Sequence, residues 1–271
     1  MNPSTGTGTG TGTGTSTSTS TSTSTQWKET AGIADGFDAY DDLPERLIGY
    51  PAVFGAVGIG SPGVRTVLDY GCGPGKVAAR IVAASEAVRV VAADIAPRML
   101  DIARSRRAHP RVNYQQIDSG KLLSLADHSV DAALSCYVFI NVGELAVLRE
   151  IATEIHRVLR PGARYAVLDT NPATTGVRFS TFRSGEPGRT YRAGERRQVL
   201  LDQPGGAPPL ELVDHHWPRE TYLDVLGEAG FTDLRVEEPV LADPSRLPTP
   251  AGDTPAEATQ PPFLIVTGAK Q

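Results

Sequence analysis

An apolar run that ends in an acid and then turns through three glycines, Thr66-Val-Leu-Asp-Tyr-Gly-Cys-Gly-Pro-Gly-Lys76, constrains this chain more than any other stretch. Val67 and Leu68 suit a strand covered on both faces. Beyond Gly75, Val77, Ile81 and Ala84 share one side of a helix expected over Lys76 to Ser85. Strand, tight turn and helix in that order place a ligand across the turn. Gly71, Gly73 and Gly75 remove the side chains that would hold it off the backbone, and the N–H groups opening the helix favour a carboxylate or phosphate. Two familiar glycine loops do not fit. The dinucleotide fingerprint needs a further glycine where this chain has Lys76, and the triphosphate loop needs Ser or Thr where it has Val77.

The chain has 271 residues, but residues 1–25 alternate Thr with Gly and Ser and carry too little apolar surface to offset the entropy of ordering, so a disordered tail is expected there. The rest suits one large domain over residues 26–271 that needs no disulfide or metal. Its two cysteines, Cys72 and Cys136, form no zinc-type spacing, and no metal site is expected. A formal net charge of −5 with interspersed signs argues against a nucleic-acid partner. No apolar run approaches the roughly 20 residues that span a bilayer, and no signal peptide is evident. A cytoplasmic protein without a membrane partner, monomeric or homodimeric, is expected.

The pattern then alternates. Strands are expected at Arg89 to Ile95, Val112 to Asp118, Val130 to Tyr137 and Arg164 to Thr170, with helices at Pro97 to Arg107 and Glu144 to Leu159. Glycines and prolines break the regularity from Asn171, where two strand-like pieces, Thr190 to Leu201 and Leu210 to His216, imply a small antiparallel insertion over 171–216. A helix at Glu220 to Ala229 and strands at Thr232 to Val240 and Phe263 to Gly268 complete the chain.

Leu68-Asp-Tyr-Gly-Cys-Gly-Pro-Gly75, Asp94, Asp118, Ser135-Cys-Tyr-Val-Phe139 and Arg157-Val-Leu-Arg-Pro-Gly162, in that order, resemble the class I S-adenosylmethionine-dependent methyltransferases of the small-molecule, natural-product branch. The last motif departs in having Ala163 for a second glycine. The resemblance implies an α/β, Rossmann-like sheet of seven mostly parallel strands with an antiparallel last strand, S-adenosylmethionine as cofactor and a small-molecule acceptor methylated on O, N or C. A same-fold protein using the cofactor for a cyclisation, or a non-catalytic binding module, is the alternative.

Asp94 falls roughly 20 residues beyond the glycine turn, where nucleotide-binding α/β folds place an acid on the ribose hydroxyls; its other role would be to cap the following helix. Ile95 and Met99 would then pack on the adenine. By the resemblance Asp69, Gly71, Cys72, Gly73 and Gly75 line the cofactor, Asp118 and Ser119 face the adenine amino group, and Cys136 and Tyr137 floor its methionine part, although Tyr137 equally suits the core. The aromatics of residues 26–60 (Trp27, Phe37, Tyr40, Tyr50, Phe54) either cover the sheet or form a lid, Phe37 and Tyr40 being the candidate acceptor contacts. Transfer to a weakly nucleophilic oxygen or nitrogen needs a base, and histidine titrates in the right range. His215 and His216, in Asp-His-His-Trp at the end of the insertion, are the candidates, one of them facing the pocket. Tyr191 is a second catalytic candidate, and Tyr191, Arg192 and Trp217 are candidate acceptor contacts.

Overall fold

The structure, a computed structural model, describes Met1 and residues 31–118, 120–247 and 253–271. The Thr/Gly/Ser tail, Trp27 and Ser119 lie outside the described residues.

Seven strands form one sheet: β1 (Thr66–Tyr70), β2 (Arg89–Asp94), β3 (Val112–Gln116), β4 (Val130–Cys136), β5 (Leu159–Thr170), β9 (Phe231–Glu237) and β10 (Phe263–Lys270). Their order is β3-β2-β1-β4-β5-β10-β9, and β10 runs antiparallel to both its neighbours. Both faces are covered, and alternate residues of each strand serve opposite faces. Val67, Ala132, Ala166 and Ile265 join one apolar cluster, whereas Leu68, Ala133, Val167 and Val266 join the other. The first cluster takes in α2 (Tyr50–Ala56) and α3 (Lys76–Ala84). The second takes in α5 (Leu145–Val158), whose Leu148, Ile151, Ile155 and Val158 recur at helical spacing, and α6 (Arg219–Glu228). No described helix is long and apolar enough to cross a membrane.

A second, antiparallel sheet of β6 (Phe182–Ser184), β7 (Glu195–Leu201) and β8 (Leu210–His216) makes up the insertion. The sequence pattern marks two strands there; β6 is a third, too short to show a period. β7 begins at Glu195 and not at Thr190, because Gly194 adopts a left-handed φ of 75° and turns the chain into the strand. β5 likewise starts before Arg164: Leu159 already pairs with Val130, and the ladder shifts across the Arg160-Pro-Gly162 turn.

The segment before β1 is ordered by charge. α1 (Ala31–Ala39) presents Asp35 and Asp38 to α4 (Pro97–Arg106): Asp35 pairs with Arg98 at 2.8 Å, and Asp38 pairs with Arg106 and with Arg107 just beyond the helix. A single π-helical turn, Glu45–Gly49, then leads into α2.

Candidate active site

A cavity of about 480 Å³ lies at the C-terminal ends of β1, β2, β4 and β5, bounded on its far side by the leading segment and the insertion. The sheet-end half is built by the glycine turn. The Gly71 and Cys72 N–H groups both donate to the Ala93 carbonyl, at 2.7 and 3.0 Å, strapping the turn to β2. At Gly71, where φ is 74°, a Cβ would stand 2.3 Å from Val138, so only glycine fits. Gly73 is different: a Cβ there would meet nothing within 4 Å, which leaves this backbone open to a ligand.

Asp94 ends β2 at the cavity wall. Its Oδ2 accepts from the Gly73 N–H at 2.7 Å and its Oδ1 from the Ala96 N–H at 2.8 Å. A carboxylate offers about four acceptor positions, so two remain for a ligand's hydroxyls. Ile95, Met99 and Asp118 line the same half, as do Gly71, Cys72, Gly73 and Cys136, while Tyr137 lines the cavity with its ring edge-on to Phe263. Asp69 and Gly75 do not. Asp69 is 1% exposed beneath the turn, and burial, reinforced by the Asp94 charge, pushes its carboxyl up to about 7. Gly75 faces the protein: a Cβ would lie 2.6 Å from the Tyr114 hydroxyl and 3.1 Å from Ala103, so its role is to seat the turn on β3 and α4.

The other half combines aromatic walls with buried acids. Phe37 and Tyr40 line it beside Tyr50, Phe182, Leu201 and Leu212. Lys76, at the position where a dinucleotide-binding loop needs glycine, holds the leading segment down: its Nζ donates to the Phe37 and Tyr40 carbonyls at 3.2 and 2.7 Å. The Tyr40 hydroxyl donates to Glu45 at 3.0 Å and meets Thr181 Oγ1 of the insertion at 2.8 Å. Burial, and secondarily the Asp42 charge, pushes Glu45 up to about 8. Asp42 is neutralised by Arg80 at 2.9 Å and Arg46 at 3.2 Å, and accepts from the Tyr50 hydroxyl at 3.3 Å. At the base of the insertion Arg197 donates to both oxygens of Asp214, at 2.7 and 3.1 Å, and to Thr170 at 2.7 Å. That buried pair fixes the second sheet to β5.

The histidines expected as bases are not brought to this cavity. β8 contributes Leu212, Val213 and Asp214 to its wall and has passed out of it by His215. The His215 ring lies against Gly143, with Nδ1 3.3 Å from the Ile140 carbonyl, and burial lowers its pKa. His216 faces the Tyr191 ring, 6.0 Å away between centroids, and burial lowers its pKa too. Tyr191 is used inside the insertion, where its hydroxyl accepts from the Glu186 N–H at 3.0 Å. Trp217 donates to the Val142 carbonyl at 2.9 Å and packs on Gly194, while Arg192 is exposed in the turn before β7. These five residues build the insertion and its joint with the sheet. Glu45 and Asp42 have no such signal in the sequence, being two acids in an acidic, weakly helical stretch. The π-helical turn that aims Glu45 inward has no sequence period of its own.

Comparison with known proteins agrees with this geometry. A family model described as a methyltransferase domain matches residues 67–162, from β1 into the first turn of β5. N-demethylindolmycin N-methyltransferase of Streptomyces griseus is 38% identical over 224 residues, covering 82% of this chain and 89% of that enzyme. A ubiquinone/menaquinone biosynthesis C-methyltransferase of Desulfotalea psychrophila is 29% identical over 185 residues, covering 66% of this chain and 70% of that protein. Among solved structures, a putative S-adenosylmethionine-dependent methyltransferase from Listeria monocytogenes shares the fold with a TM-score of 0.56 at 17% identity, over 82% of this chain and 98% of that one. The extent of the first match, with the matching domain model and fold, establishes that the chain belongs to the class I S-adenosylmethionine-dependent methyltransferases and takes S-adenosylmethionine as its cofactor.

Proposed function

We propose that this enzyme methylates a nitrogen of an apolar, ring-bearing small molecule, a secondary metabolite. The observation that carries the reading is the acceptor half of the cavity, where Phe37, Tyr50, Phe182, Leu201 and Leu212 share the wall with the buried acids Asp42 and Glu45. Such walls suit a compact hydrophobic body, and the acids suit a basic atom on it. That the relative from Streptomyces griseus is named for N-methyl transfer supports the choice of nitrogen.

The bound cofactor supplies a methyl group on a cationic sulfur, ready for in-line displacement. The protein's share is to hold and to align. In this reading Asp94 takes the ribose hydroxyls with the two acceptor positions left free by Gly73 and Ala96. Ile95 and Met99 flank the adenine, Asp118 receives its amino group, and the open backbone at Gly73 lies along the rest of the cofactor. Lys76 and the α1 ion pairs keep the leading segment closed over the acceptor and exclude water.

The test is release of S-adenosylhomocysteine from the purified chain with S-adenosylmethionine and a panel of N-demethylindolmycin, other amines, alcohols and phenols of similar size. Turnover with amines is expected. Turnover confined to oxygen or carbon acceptors contradicts the choice of nitrogen, and binding of S-adenosylhomocysteine without any methylation points to a non-methylating or binding role.

A further inference from the structure

We propose that the acceptor enters as a protonated amine, bound between Glu45 and Tyr137, and that the Glu45 carboxylate is the base that removes its proton. The inference rests on the nitrogen reading above. Two buried polar groups on the cavity wall, an acid and a hydroxyl, carry it.

Glu45 is 5% exposed and lines the cavity. A buried carboxylate is costly unless it is paired, so Glu45, pushed up to about 8, ionises near neutral pH only when a cation joins it, and the nearby cations are committed elsewhere: Arg80 and Arg46 to Asp42, and Lys76 to two backbone carbonyls. Glu45 receives the Tyr40 hydroxyl, at 3.0 and 3.3 Å from its two oxygens, and keeps acceptor capacity beyond that bond. It also opens the π-helical turn, a distortion often found at functional sites.

Tyr137 is the second group. Its φ of 61° is unusual for a bulky residue, and strain of this kind persists where the surroundings enforce it. The Asn141 side chain donates to the Tyr137 carbonyl at 2.6 Å and holds the turn. The ring packs edge-on against Phe263 at 6.2 Å, next to Phe182 of the acceptor half, and its hydroxyl is shut off from solvent and has no hydrogen-bond partner among the described residues. Glu45 and Tyr137 line the same cavity, and burial, and next the Glu45 charge, pushes that hydroxyl well above its ordinary value.

An ammonium between the two completes both: it donates to the carboxylate and to the phenol oxygen. The rings of Tyr40, Tyr50 and Tyr137 around it favour a cation. Phe37 and Tyr40 already do so for Lys76, whose Nζ lies 5.8 and 5.6 Å from their centroids.

The proton balance is simple. One N–H bond of the ammonium breaks, its electron pair stays on nitrogen as the lone pair needed for attack, and the proton forms an O–H bond on Glu45. The carboxyl keeps that proton in the free enzyme at pH 7 and gives it up to solvent when the next ammonium binds. Asp42, Tyr40, Tyr50, Tyr137 and Lys76 are the titratable groups around Glu45; the Asp42 charge favours its protonated form, the Tyr40 hydrogen bond and the Lys76 charge favour its ionised form, and burial outweighs them. A carboxyl of raised pKa is a better match to an amine.

The test is calorimetric titration of the full chain, saturated with S-adenosylhomocysteine, with tryptamine and with its alcohol analogue tryptophol, in two buffers of different ionisation heat. At pH 7 the wild type is expected to prefer tryptamine by about tenfold or more and to release close to one proton on binding it, because amine and carboxyl together carry one proton fewer in the complex. Glu45→Gln is expected to lose both the preference and the proton release with unchanged affinity for S-adenosylhomocysteine, which reports an intact fold. Tyr137→Phe is expected to weaken tryptamine binding while keeping the proton release. Equal binding of amine and alcohol, no binding of either, or Glu45→Gln behaving as wild type overturns the inference. Amine methylation surviving in Glu45→Gln sinks it while leaving the nitrogen reading intact; a wild type that methylates only alcohols sinks that reading instead.

Discussion

The two halves of the cavity are made in different ways. The cofactor half comes from the tips of adjacent strands, and its key bonds are made by backbone N–H groups, of Gly71 and Cys72 to the Ala93 carbonyl and of Gly73 and Ala96 to the Asp94 carboxylate. The acceptor half joins segments far apart in the chain. Tyr40 meets Thr181, Lys76 reaches back to Phe37 and Tyr40, and Phe182 of the insertion stacks on Phe263 of β10 at 5.8 Å. A site made from one continuous motif binds whatever the motif was built for. A site made from a lid and an insertion takes its specificity from how these meet, so the two halves should fail separately when altered.

The sharpest way to separate them is Glu45→Gln. Loss of a general base costs about 10²–10⁴ in rate, so amine turnover should fall by that order while S-adenosylhomocysteine binds as before. The wild-type rate should also rise with pH through about 8, where Glu45 ionises, and this limb should vanish in the variant. Gly71→Ala attacks the other half. A Cβ 2.3 Å from Val138 on a backbone with φ of 74° costs about 1–3 kcal/mol, and cofactor affinity should drop by roughly tenfold or more without a change in amine selectivity.

A smaller effect concerns stability. Glu45, Asp69 and Asp169 are pushed up to about 8, 7 and 8, chiefly by burial. The folded chain therefore binds more protons than the unfolded one from about pH 4 to 8, so the stability these groups contribute at low pH is lost as pH rises through that window. The melting temperature should fall by a few degrees between pH 5 and 9, and less in Glu45→Gln, as thermal scans would show. The smallest effect is expected at the histidines. His215→Ala and His216→Ala should each change turnover by no more than about threefold, since neither ring lines the cavity; a hundredfold loss with normal folding would return the base to the insertion.

Legibility in the sequence divides along the same line. The strand and helix periods are local, so β1 through α5 are foreshadowed almost residue for residue, and Asp94, Ile95, Met99 and Asp118 fall where an open α/β sheet exposes its strand ends. Within the glycine turn the pattern alone does not tell ligand contacts from supports. Asp69 and Gly75 share the motif with Gly73 but face the interior, because the left-handed turn points successive residues in different directions. In the acceptor half, Phe37 and Tyr40 stand out as aromatics, whereas Glu45 does not, since its importance comes from a π-helical turn and from Tyr40, Asp42 and Thr181 around it. The histidines attract attention by residue type, but where β8 leaves the cavity depends on its pairing with β7, which no single-strand pattern encodes.

If the cavity has two independent halves, titration of S-adenosylhomocysteine into Asp94→Ala and Glu45→Gln side by side shows it most directly. Asp94→Ala should lower affinity by about 100-fold through loss of the ribose acceptor, and Glu45→Gln should bind as the wild type does. Unchanged affinity in Asp94→Ala, or a comparable loss in Glu45→Gln, would contradict the division of the cavity into a cofactor half and an acceptor half.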